Sequence, residues 1–247
     1  MKTVAIIPSR FDSNRLPGKA MRPMAGVPML GRLLERVMKA PSLDEVVVAT
    51  TTLPSDDKIV ALAERYGARF FRGAERDVLG RIVGAARDAK ADVVVEIMGD
   101  SPLVHRELID DVVAFRAAKE VDFACSYTQT VRLPEHGAGY REFPVGIWVE
   151  CFPTEVMAQT ERDRSDVYAR EHSTTSMYKH PELFRLDYLE ATGKWAEANV
   201  PELFLAVNFQ EHYDLVSAVF ERLYPEDPDF GVLEAVRVAK QLAAEGG

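Results

Sequence analysis

Residues 3–19 read TVAIIPSRFDSNRLPGK. The first five form a short apolar run rich in β-branched side chains, which predicts a buried strand. The loop that follows carries three cations, Arg10, Arg15 and Lys19, and a glycine at position 18. Glycine lets the backbone approach a ligand closely, and fixed cations suit a polyphosphate. The stretch therefore predicts the first strand of a parallel sheet, followed by an anion-binding loop at its carboxyl edge.

This loop is not a phosphate loop of the Walker A type, because the required glycine spacing and Lys-Ser/Thr pair are absent. A solvated basic loop without a ligand is the alternative interpretation. Two prolines, a glycine and three cations directly after a buried strand favour ligand binding.

The chain as a whole is acidic, with a formal net charge of −9 over 247 residues. Binding to a nucleic-acid backbone normally needs a basic face, so this charge argues against a nucleic-acid partner. Residues 8–22 oppose the trend, with three arginines and one lysine against a single acid, Asp12. A local cationic patch on an acidic protein indicates a small anionic ligand.

The length and composition fit one α/β domain over residues 1–247. We find neither the apolar core of a signal peptide nor a run of membrane-spanning length, so we expect no membrane insertion. Cys125 and Cys151 lie on separate apolar segments without metal-ligand or redox spacing. We expect two buried thiols in a reducing compartment, which predicts a cytoplasmic location.

Short apolar runs alternate with segments of helical periodicity in the first 97 residues. The predicted strands are 3–7, 45–50, 68–71 and 92–97, and the predicted helices between them are 29–40, 55–66 and 77–89. Asp56 and Asp57 favour a helix start beside Ser55, since acids complement the positive end of the helix dipole. This alternation predicts βαβ units and a mostly parallel central sheet in an α/β fold.

The pattern changes after residue 120. Predicted strands at 121–127 and 144–152 are separated by a Gly/Pro-containing loop, which indicates an antiparallel arm over residues 121–152. The remaining predicted elements are a helix at 164–178, strands at 183–189 and 203–207, and helices at 210–223 and 230–244.

The residues Gly99-Asp100-Ser101-Pro102 follow the predicted strand at 92–97. Glycine and proline end that strand sharply and place Asp100 at the same edge of the sheet as the cationic loop. An aspartate there could simply cap the next helix. A carboxylate that faces a polyphosphate, however, is what Mg²⁺ coordination requires, because this cation prefers oxygen ligands. We therefore expect Asp100 to bind Mg²⁺.

These loops carry a family resemblance. The segment from Ile7 to Lys19 resembles the N-terminal signature of the cytidylyltransferases that activate 3-deoxy-manno-octulosonate and acylneuraminate, and in particular that of the spore-coat-polysaccharide type. The resemblance runs along nearly the full chain. Its further motifs are DVLGR at 77–81, GDSPL at 99–103, REH at 170–172, YKHP at 178–181 and the segment 207–215.

The resemblance implies a nucleotide-diphospho-sugar transferase fold, which is a Rossmann-like, GT-A-like three-layer sandwich. The N-terminal half would bind CTP, and the side of the arm would bind a sugar or sugar acid. A homodimer would form through residues 121–150. A sugar hydroxyl would attack the α-phosphorus and expel pyrophosphate, so catalysis would rest on positioning and electrostatics.

The resemblance also assigns roles to residues of this chain. Arg15, Lys19 and Asp100 would be catalytic, with the two cations on the β- and γ-phosphates. The nucleotide-binding set would be Pro8, Ser9, Arg10, Ser13, Gly18 and Arg81. The sugar-binding set would be Glu150, Arg170 and His172, and the Mg²⁺ ligands would be Asp100 and Asn208.

The sequence departs from the family pattern at three positions. Asn208 stands where the family has an aspartate that ligates the metal, and Val145 and Trp148 stand where acids are common. Only Glu150 remains in that segment. An amide coordinates through its oxygen but brings no charge, which weakens the hold on Mg²⁺, and Glu211 could substitute for it.

Three interpretations follow. The leading one is a Mg²⁺-dependent cytidylyltransferase, although the base preference rests on the resemblance and the acceptor is not specified. A glycosyltransferase is the second, but it would need an Asp-x-Asp motif that Asp100 does not begin. A non-catalytic nucleotide- or sugar-binding homologue is the third, motivated by the three departures. His172 either orients the acceptor or acts as its base, or it is a buried histidine at a helix contact.

Overall fold

The computed structural model describes residues 1–13, 15–127, 142–180 and 182–245. Its main element is a seven-stranded sheet, accompanied by a short two-stranded one. In chain order the strands are β1 (Thr3–Pro8), β2 (Pro23–Met24), β3 (Val27–Pro28), β4 (Glu45–Thr51), β5 (Arg69–Gly73), β6 (Val93–Glu96), β7 (Phe123–Cys125), β8 (Glu150–Pro153) and β9 (Leu186–Tyr188).

Helices flank the sheet on both sides. They are α1 (Met29–Val37), α2 (Asp57–Tyr66), α3 (Val78–Asp88), α4 (Arg106–Lys119), α5 (Thr154–Asp163), α6 (Val167–Glu171), α7 (Thr175–Lys179), α8 (Gln210–Leu223) and α9 (Val232–Glu245). Short 3₁₀ turns cover Lys19–Met21, Pro54–Asp56 and Gly193–Ala198. Across the described ranges, none of the helices has the length and apolar character needed to cross a bilayer.

The large sheet has the strand order β5-β4-β1-β6-β8-β7-β9. The strands β5, β4, β1 and β6 run parallel, β8 runs antiparallel to both of its neighbours, and β7 pairs in parallel with β9. The expected α/β fold with a mostly parallel sheet and an antiparallel pair is therefore confirmed.

The alternation of side chains along β1 divides the interior into two cores. Ala5 and Ile7 face a core shared with α1, α2, α4, α8 and α9. Val4 and Ile6 face the opposite core, which α3, α5 and α7 cover. Successive strand residues point to opposite faces, so an uninterrupted apolar run marks a strand buried on both sides. This arrangement is the expected three-layer sandwich.

The segment expected to form an arm begins and ends inside the large sheet. Both β7 and β8, which flank it, are strands of that sheet, and Cys125 pairs with Glu150 between them. Residues 128–141 lie outside the described residues, so the projecting part of the arm stays a prediction. The strand expected at 144–152 begins only at Glu150.

The predicted helix at 164–178 is wrong, because the structure has two short helices there, α6 and α7. Asp166 caps α6 by accepting a hydrogen bond from the amide of Ala169. Between the helices, the side chains of Ser173 and Thr174 donate hydrogen bonds to carboxylates of the sheet. Serine and threonine that bond elsewhere interrupt helices, which explains the break. The helices α4 and α5 lie where no helix was predicted.

The predicted strand at 203–207 is also wrong. Phe204 forms one isolated bridge with Val145, and the amide of Val207 donates to the carbonyl of Asp100 instead. The segment thus makes single contacts with two different parts of the chain. These contacts place residue 208 next to the loop that follows β6.

Gly146 makes that placement possible. Its φ is +103°, and a β-carbon on it would lie 2.2 Å from the amide nitrogen of Ala206. Only glycine fits so close to a neighbouring backbone at this dihedral angle. Residues 205–206 therefore pack directly on the backbone of residue 146.

Replacing Gly146 with alanine is expected to destabilise the protein strongly. The β-carbon meets fixed backbone, so a cost from overpacking of about 1–3 kcal/mol adds to the dihedral strain. Gly26→Ala is the matched control, since Gly26 also has a positive φ (+89°) but nothing within 4 Å of the added carbon. Its strain alone costs about 1–2 kcal/mol. Thermal unfolding of both variants measures the difference, and equal losses in Tm would contradict the packing role of Gly146.

Candidate active site

The topology creates a crevice between β1 and β6. The chain leaves β1 toward β4 and β5 on one side, and returns through α3 to β6 on the other. Ligands of open α/β sheets bind outside the carboxyl ends of the strands at such a switch point. Two loops lie at this position: residues 8–19 after β1 and residues 97–105 after β6.

The two loops are in close contact at Gly99, which has no side chain. A β-carbon on Gly99 would lie 2.5 Å from the carbonyl oxygen of Pro8 and 3.0 Å from the β-carbon of Ser9. The amide of Ser9 donates to the carbonyl of Ala49 at 3.1 Å, which ties the start of the first loop to β4. Pro8 and Ser9 therefore lie directly against the backbone of Gly99, where the two loops begin.

The loop after β1 folds back on itself. Gly18 adopts a left-handed conformation with φ +70°, and its amide donates to the carbonyl of Phe11 at 3.0 Å. The amide of Ser13 donates to the same carbonyl. The Ser13 hydroxyl lies 3.5 Å from the amide of Leu16. Ser13 and Gly18 thus shape the loop rather than project freely.

Lys19 is the centre of the site. Its ammonium group lies 2.9 Å from a carboxylate oxygen of Asp100 and 2.7 Å from the carbonyl oxygen of Val207. The side chains of Lys19 and Asp100 are 14% and 19% exposed, so the pair is shielded yet open to a ligand. Lys19 and Asp100 were both predicted as site residues from the sequence. They lie 81 positions apart in the chain, and the fold brings them into contact.

Asn208 directly follows Val207, whose amide and carbonyl are bonded to Asp100 and Lys19 respectively. Its side-chain oxygen is buried and, among the residues described, has no hydrogen-bond partner. A buried oxygen left without a donor suits a cation. Asp100 and Asn208 therefore fit a divalent metal ion, although the described ranges contain no group of three His, Cys, Asp or Glu side chains placed to hold one.

The other cations of the loop differ in their surroundings. The guanidinium of Arg15 is exposed and lies 5.7 Å from the ring centre of Phe209. Arg10 pairs loosely with Glu75, at 3.4 Å. Both can turn toward a ligand at small cost, because exposed pairs contribute little to stability.

Arg81 lies beneath this region. It is 3% exposed, and it donates two hydrogen bonds of 2.7 Å to the carbonyls of Ala74 and Glu75. Burial, followed by the nearby charge of Arg10, lowers the pKa of Arg81. Arg81 therefore holds the chain that carries Glu75, the partner of Arg10, and its direct contact with a ligand stays a prediction.

The three expected sugar-binding residues occupy different environments. Arg170 pairs with Asp77 at the start of α3 and donates to the carbonyl of Glu161 on α5. His172 is exposed and packs on the ring of Tyr168, with 4.4 Å between ring centres, so it is not the buried histidine of the alternative interpretation. Glu150 lies on β8 and accepts a hydrogen bond from the Thr174 hydroxyl.

Glu150 belongs to a pair of carboxyl groups. It stands opposite Glu96 in the register of β6 and β8, and Glu96 is only 2% exposed. The hydroxyls of Tyr127 and Thr174 donate to Glu150, and the Ser173 hydroxyl lies within 3.1 Å of both Glu96 oxygens. The pair therefore anchors the residues that directly follow His172.

Burial perturbs both carboxyl groups. It raises the pKa of Glu150 to about 7, with the hydrogen bonds from Tyr127 and Thr174 opposing the rise. Burial and then the charge of Glu150 raise the pKa of Glu96 well above its usual range. Perturbed carboxyls near a cleft are typical of functional sites.

Glu96 was missed by the sequence reasoning. A signal was nevertheless available, since Glu96 is the one acid within the apolar run VVVEI at 93–97. An acid on a strand buried on both faces needs a hydrogen-bond donor, and that donor is the Ser173 hydroxyl in the segment between α6 and α7.

The chain is similar in sequence to known proteins. Residues 4–223 match the model of a family described as cytidylyltransferase. The spore coat polysaccharide biosynthesis protein SpsF of Bacillus subtilis is 30% identical over 237 residues, which cover 94% of this chain and 91% of that protein.

Solved structures agree with the fold. A cytidylyltransferase from Leptospira borgpetersenii superposes with a TM-score of 0.87 at 25% identity, covering 99% of this chain and 96% of that one. A CMP:2-keto-3-deoxy-manno-octonic acid synthetase complexed with CTP superposes with a TM-score of 0.66 at 17% identity, covering 90% and 99%.

The carboxyl pair predicts a pH-dependent stability. Because the folded pKa of Glu150 lies near 7 and its ordinary value is 4.5, the folded protein retains a proton that the unfolded chain has lost. The free energy of unfolding therefore falls as the pH rises from about 4.5 to about 7. Glu150→Gln mimics the protonated group, so we expect its Tm at pH 8 to exceed that of the wild type, by on the order of 5 °C.

Glu155→Gln is the control, because Glu155 is 79% exposed and pairs only with Arg162 among the described residues. It should keep the wild-type dependence of Tm on pH. Parallel curves for Glu150→Gln and the wild type between pH 5 and pH 8 would refute the assignment.

Proposed function

Because the chain belongs to the cytidylyltransferase family and is a nucleotidyltransferase, we propose that it transfers CMP from CTP to a sugar or sugar acid and releases pyrophosphate. The product would enter the synthesis of a surface polysaccharide or glycoconjugate. The relative from Bacillus subtilis carries a spore-coat-polysaccharide name, and the octonic acid synthetase was solved with CTP. These relatives support the nucleotide and the acceptor class.

One observation carries the proposal: Lys19, Asp100 and Val207 meet at the switch point of the sheet. A lysine ammonium has three donors, and two are used by Asp100 and the Val207 carbonyl. The third is left for a phosphate oxygen. A carboxylate and a cation held side by side in this way suit a metal-bound triphosphate.

The remaining cations of the loop would complete the triphosphate site. Arg15 is exposed on the same loop as Lys19, and with it would neutralise the β- and γ-phosphates, which leave as pyrophosphate. Arg10, Ser13 and the backbone around Gly18 would surround the base and ribose. Cations fixed in advance stabilise charge on the leaving group without reorganising at the moment of reaction.

We propose that Asp100 and Asn208 hold Mg²⁺ when the nucleotide is bound. The ion would neutralise phosphate charge and orient the triphosphate for in-line attack. The unpartnered oxygen of Asn208 supports this assignment. Because Asn208 adds no negative charge, binding of the ion would depend more on the phosphates than it does with two carboxylates.

The acceptor would enter on the side of Glu150, Arg170 and His172. Its hydroxyl oxygen would form the new bond to the α-phosphorus as the bond to the pyrophosphate oxygen breaks. The exposed imidazole of His172 would accept the hydroxyl proton. The carboxyl pair Glu96 and Glu150 would hold the 173–174 segment in register with the sheet.

We also place the enzyme in the cytoplasm, where two buried free thiols, Cys125 and Cys151, would persist unpaired. A homodimer through residues 121–150 is proposed on the resemblance, and sedimentation equilibrium would measure the assembly state.

The proposed reaction predicts pyrophosphate release from CTP and Mg²⁺ in the presence of a 3-deoxy-ulosonic acid or a related acceptor. Lys19→Ala should lower kcat/KM by about a hundredfold or more, since it removes a charge from the triphosphate site. Lys240→Ala, on the exposed side of α9, should leave the rate unchanged. A coupled pyrophosphate assay across a panel of acceptors provides the measurement, and no release with any acceptor would refute the proposal.

Asn208→Asp tests the metal assignment. A second carboxylate should lower the Mg²⁺ concentration for half-maximal activity by about tenfold, because each charged oxygen ligand strengthens the site. Calorimetry of Mg²⁺ and CTP binding offers a readout apart from turnover. Activity in the mutant alone would identify the wild type as the non-catalytic homologue, and unchanged Mg²⁺ dependence would remove Asn208 from the metal site.

A further inference from the structure

Asp56 is a buried carboxylate at the base of the loop after β1. It is 1% exposed and lies in the 3₁₀ turn before α2. It occupies the N-cap position of α2, yet its side chain forms no capping hydrogen bond with that helix. The helix therefore starts close to where the sequence pattern predicted, but the hydrogen bonds of the Asp56 carboxylate go elsewhere.

The carboxylate instead joins the end of β4 to the loop. One oxygen accepts the amide of Phe11 at 2.7 Å. The other accepts the Thr50 hydroxyl at 2.9 Å, the Thr51 amide at 3.0 Å and the Thr51 hydroxyl. Burial alone would raise the pKa of Asp56, but the hydrogen bonds from Thr51, Phe11 and Thr50 outweigh it and lower that pKa.

A series of contacts connects Asp56 to Lys19 through Phe11 and Gly18. The amide of Phe11 is held by Asp56, and its carbonyl accepts the amide of Gly18. Gly18 directly precedes Lys19, whose ammonium lies on Asp100. The ring of Phe11 also packs close to Gly18, because a β-carbon there would lie 3.3 Å from it.

Two further contacts hold the same part of the loop. The Ser55 hydroxyl donates to Asp12 at 2.8 Å, and the ammonium of Lys58 lies 4.6 Å from the centre of the Phe11 ring. The turn before α2 and the first turn of α2 thus both contact residues 11–12.

We infer that Asp56 is a positioning residue for nucleotide binding, which fixes the loop of residues 10–19 so that its cations meet the triphosphate in a preset geometry. The inference rests on the proposed function, since it assigns the nucleotide to this loop. It makes Asp56 act through Phe11 and Gly18, without touching the nucleotide. A preset loop binds more tightly, because less conformational freedom is lost on binding.

Asp56→Ala tests the inference through nucleotide affinity. Loss of the bond to Phe11 should raise the Kd for CTP with Mg²⁺, measured by calorimetry, by about tenfold to a hundredfold. The KM for the acceptor should stay at the wild-type value. Asp56→Asn keeps one oxygen for the Phe11 amide, so its Kd should lie between those of the wild type and Asp56→Ala.

Thr50→Val is the matched control. It removes a hydrogen bond from the same carboxylate on the side of β4 and leaves the bond to Phe11 in place. It should lower Tm while keeping the Kd for CTP within about twofold of the wild type, because each lost bond acts locally. If Asp56→Ala does not fold, the comparison of Asp56→Asn with Thr50→Val decides the question.

Hydrogen exchange gives a readout that does not depend on the nucleotide. In Asp56→Ala and Asp56→Asn, amides of residues 9–19 should exchange faster, while those of β6 keep the wild-type rate. Failure of the wild type to bind CTP would overturn the proposed function, and the exchange data would still test Asp56. Wild-type affinity in folded Asp56→Ala, unchanged exchange in the loop, or an equal loss of affinity in Thr50→Val would overturn the inference.

Discussion

The ammonium group of Lys19 joins three segments that are distant in sequence. It belongs to the loop after β1, and it bonds to Asp100 after β6 and to the carbonyl of Val207 before α8. A shielded carboxylate and carbonyl need such a donor, since leaving either one unpaired is costly. The topology creates the crevice, and this one cation holds its three segments together at the edge of the sheet.

The carboxyl groups of Glu96 and Glu150 are held in a different way from that of Asp100. Glu96 and Glu150 place two acids side by side, and no cation is paired with either in the described structure. Hydroxyl groups of Tyr127, Ser173 and Thr174 satisfy them instead. Hydroxyl donors compensate a buried carboxyl only in part, so the pair retains a proton near neutral pH. Lys19 and Asp100 thus form a charged pair, whereas Glu96 and Glu150 retain a proton.

The sequence predicted the parallel half of the sheet well, because each strand there is an uninterrupted apolar run bounded by turn residues. It also predicted that Asp100 and the cationic loop would lie at the same edge of the sheet, since both follow strands whose carboxyl ends share that edge, and the structure adds the direct contact of Asp100 with Lys19. It failed where tertiary contacts override local pattern. Residues 203–207 have the composition of a strand, but their backbone groups bond singly to Val145 and Asp100.

Two candidate site residues depend on contacts with distant parts of the chain. Asp56 occupies a helix N-cap position, and only its bond to Phe11, 45 residues away, shows that it supports the loop. Burial, and then the charge of Glu150 on a strand that pairs antiparallel with β6, raises the pKa of Glu96. The predicted helix at 164–178 is wrong for a similar reason. Ser173 donates to Glu96 and Thr174 donates to Glu150, and these tertiary hydrogen bonds break the helix. Residues 128–141 lie outside the described structure, so the arm stays a prediction.

The antiparallel direction of β8 determines where the chain can accept an insertion. Because β8 runs against β6 and β7, the chain leaves the sheet at Cys125 and re-enters it at Glu150 on the same edge as the crevice. An insertion between these two strands therefore leaves the strand register unaltered, and loop-closure entropy adds only about 0.6 kcal/mol for each doubling of length. Such an insertion would alter the edge of the sheet beside Glu150 and leave the parallel strands β5, β4, β1 and β6 unchanged.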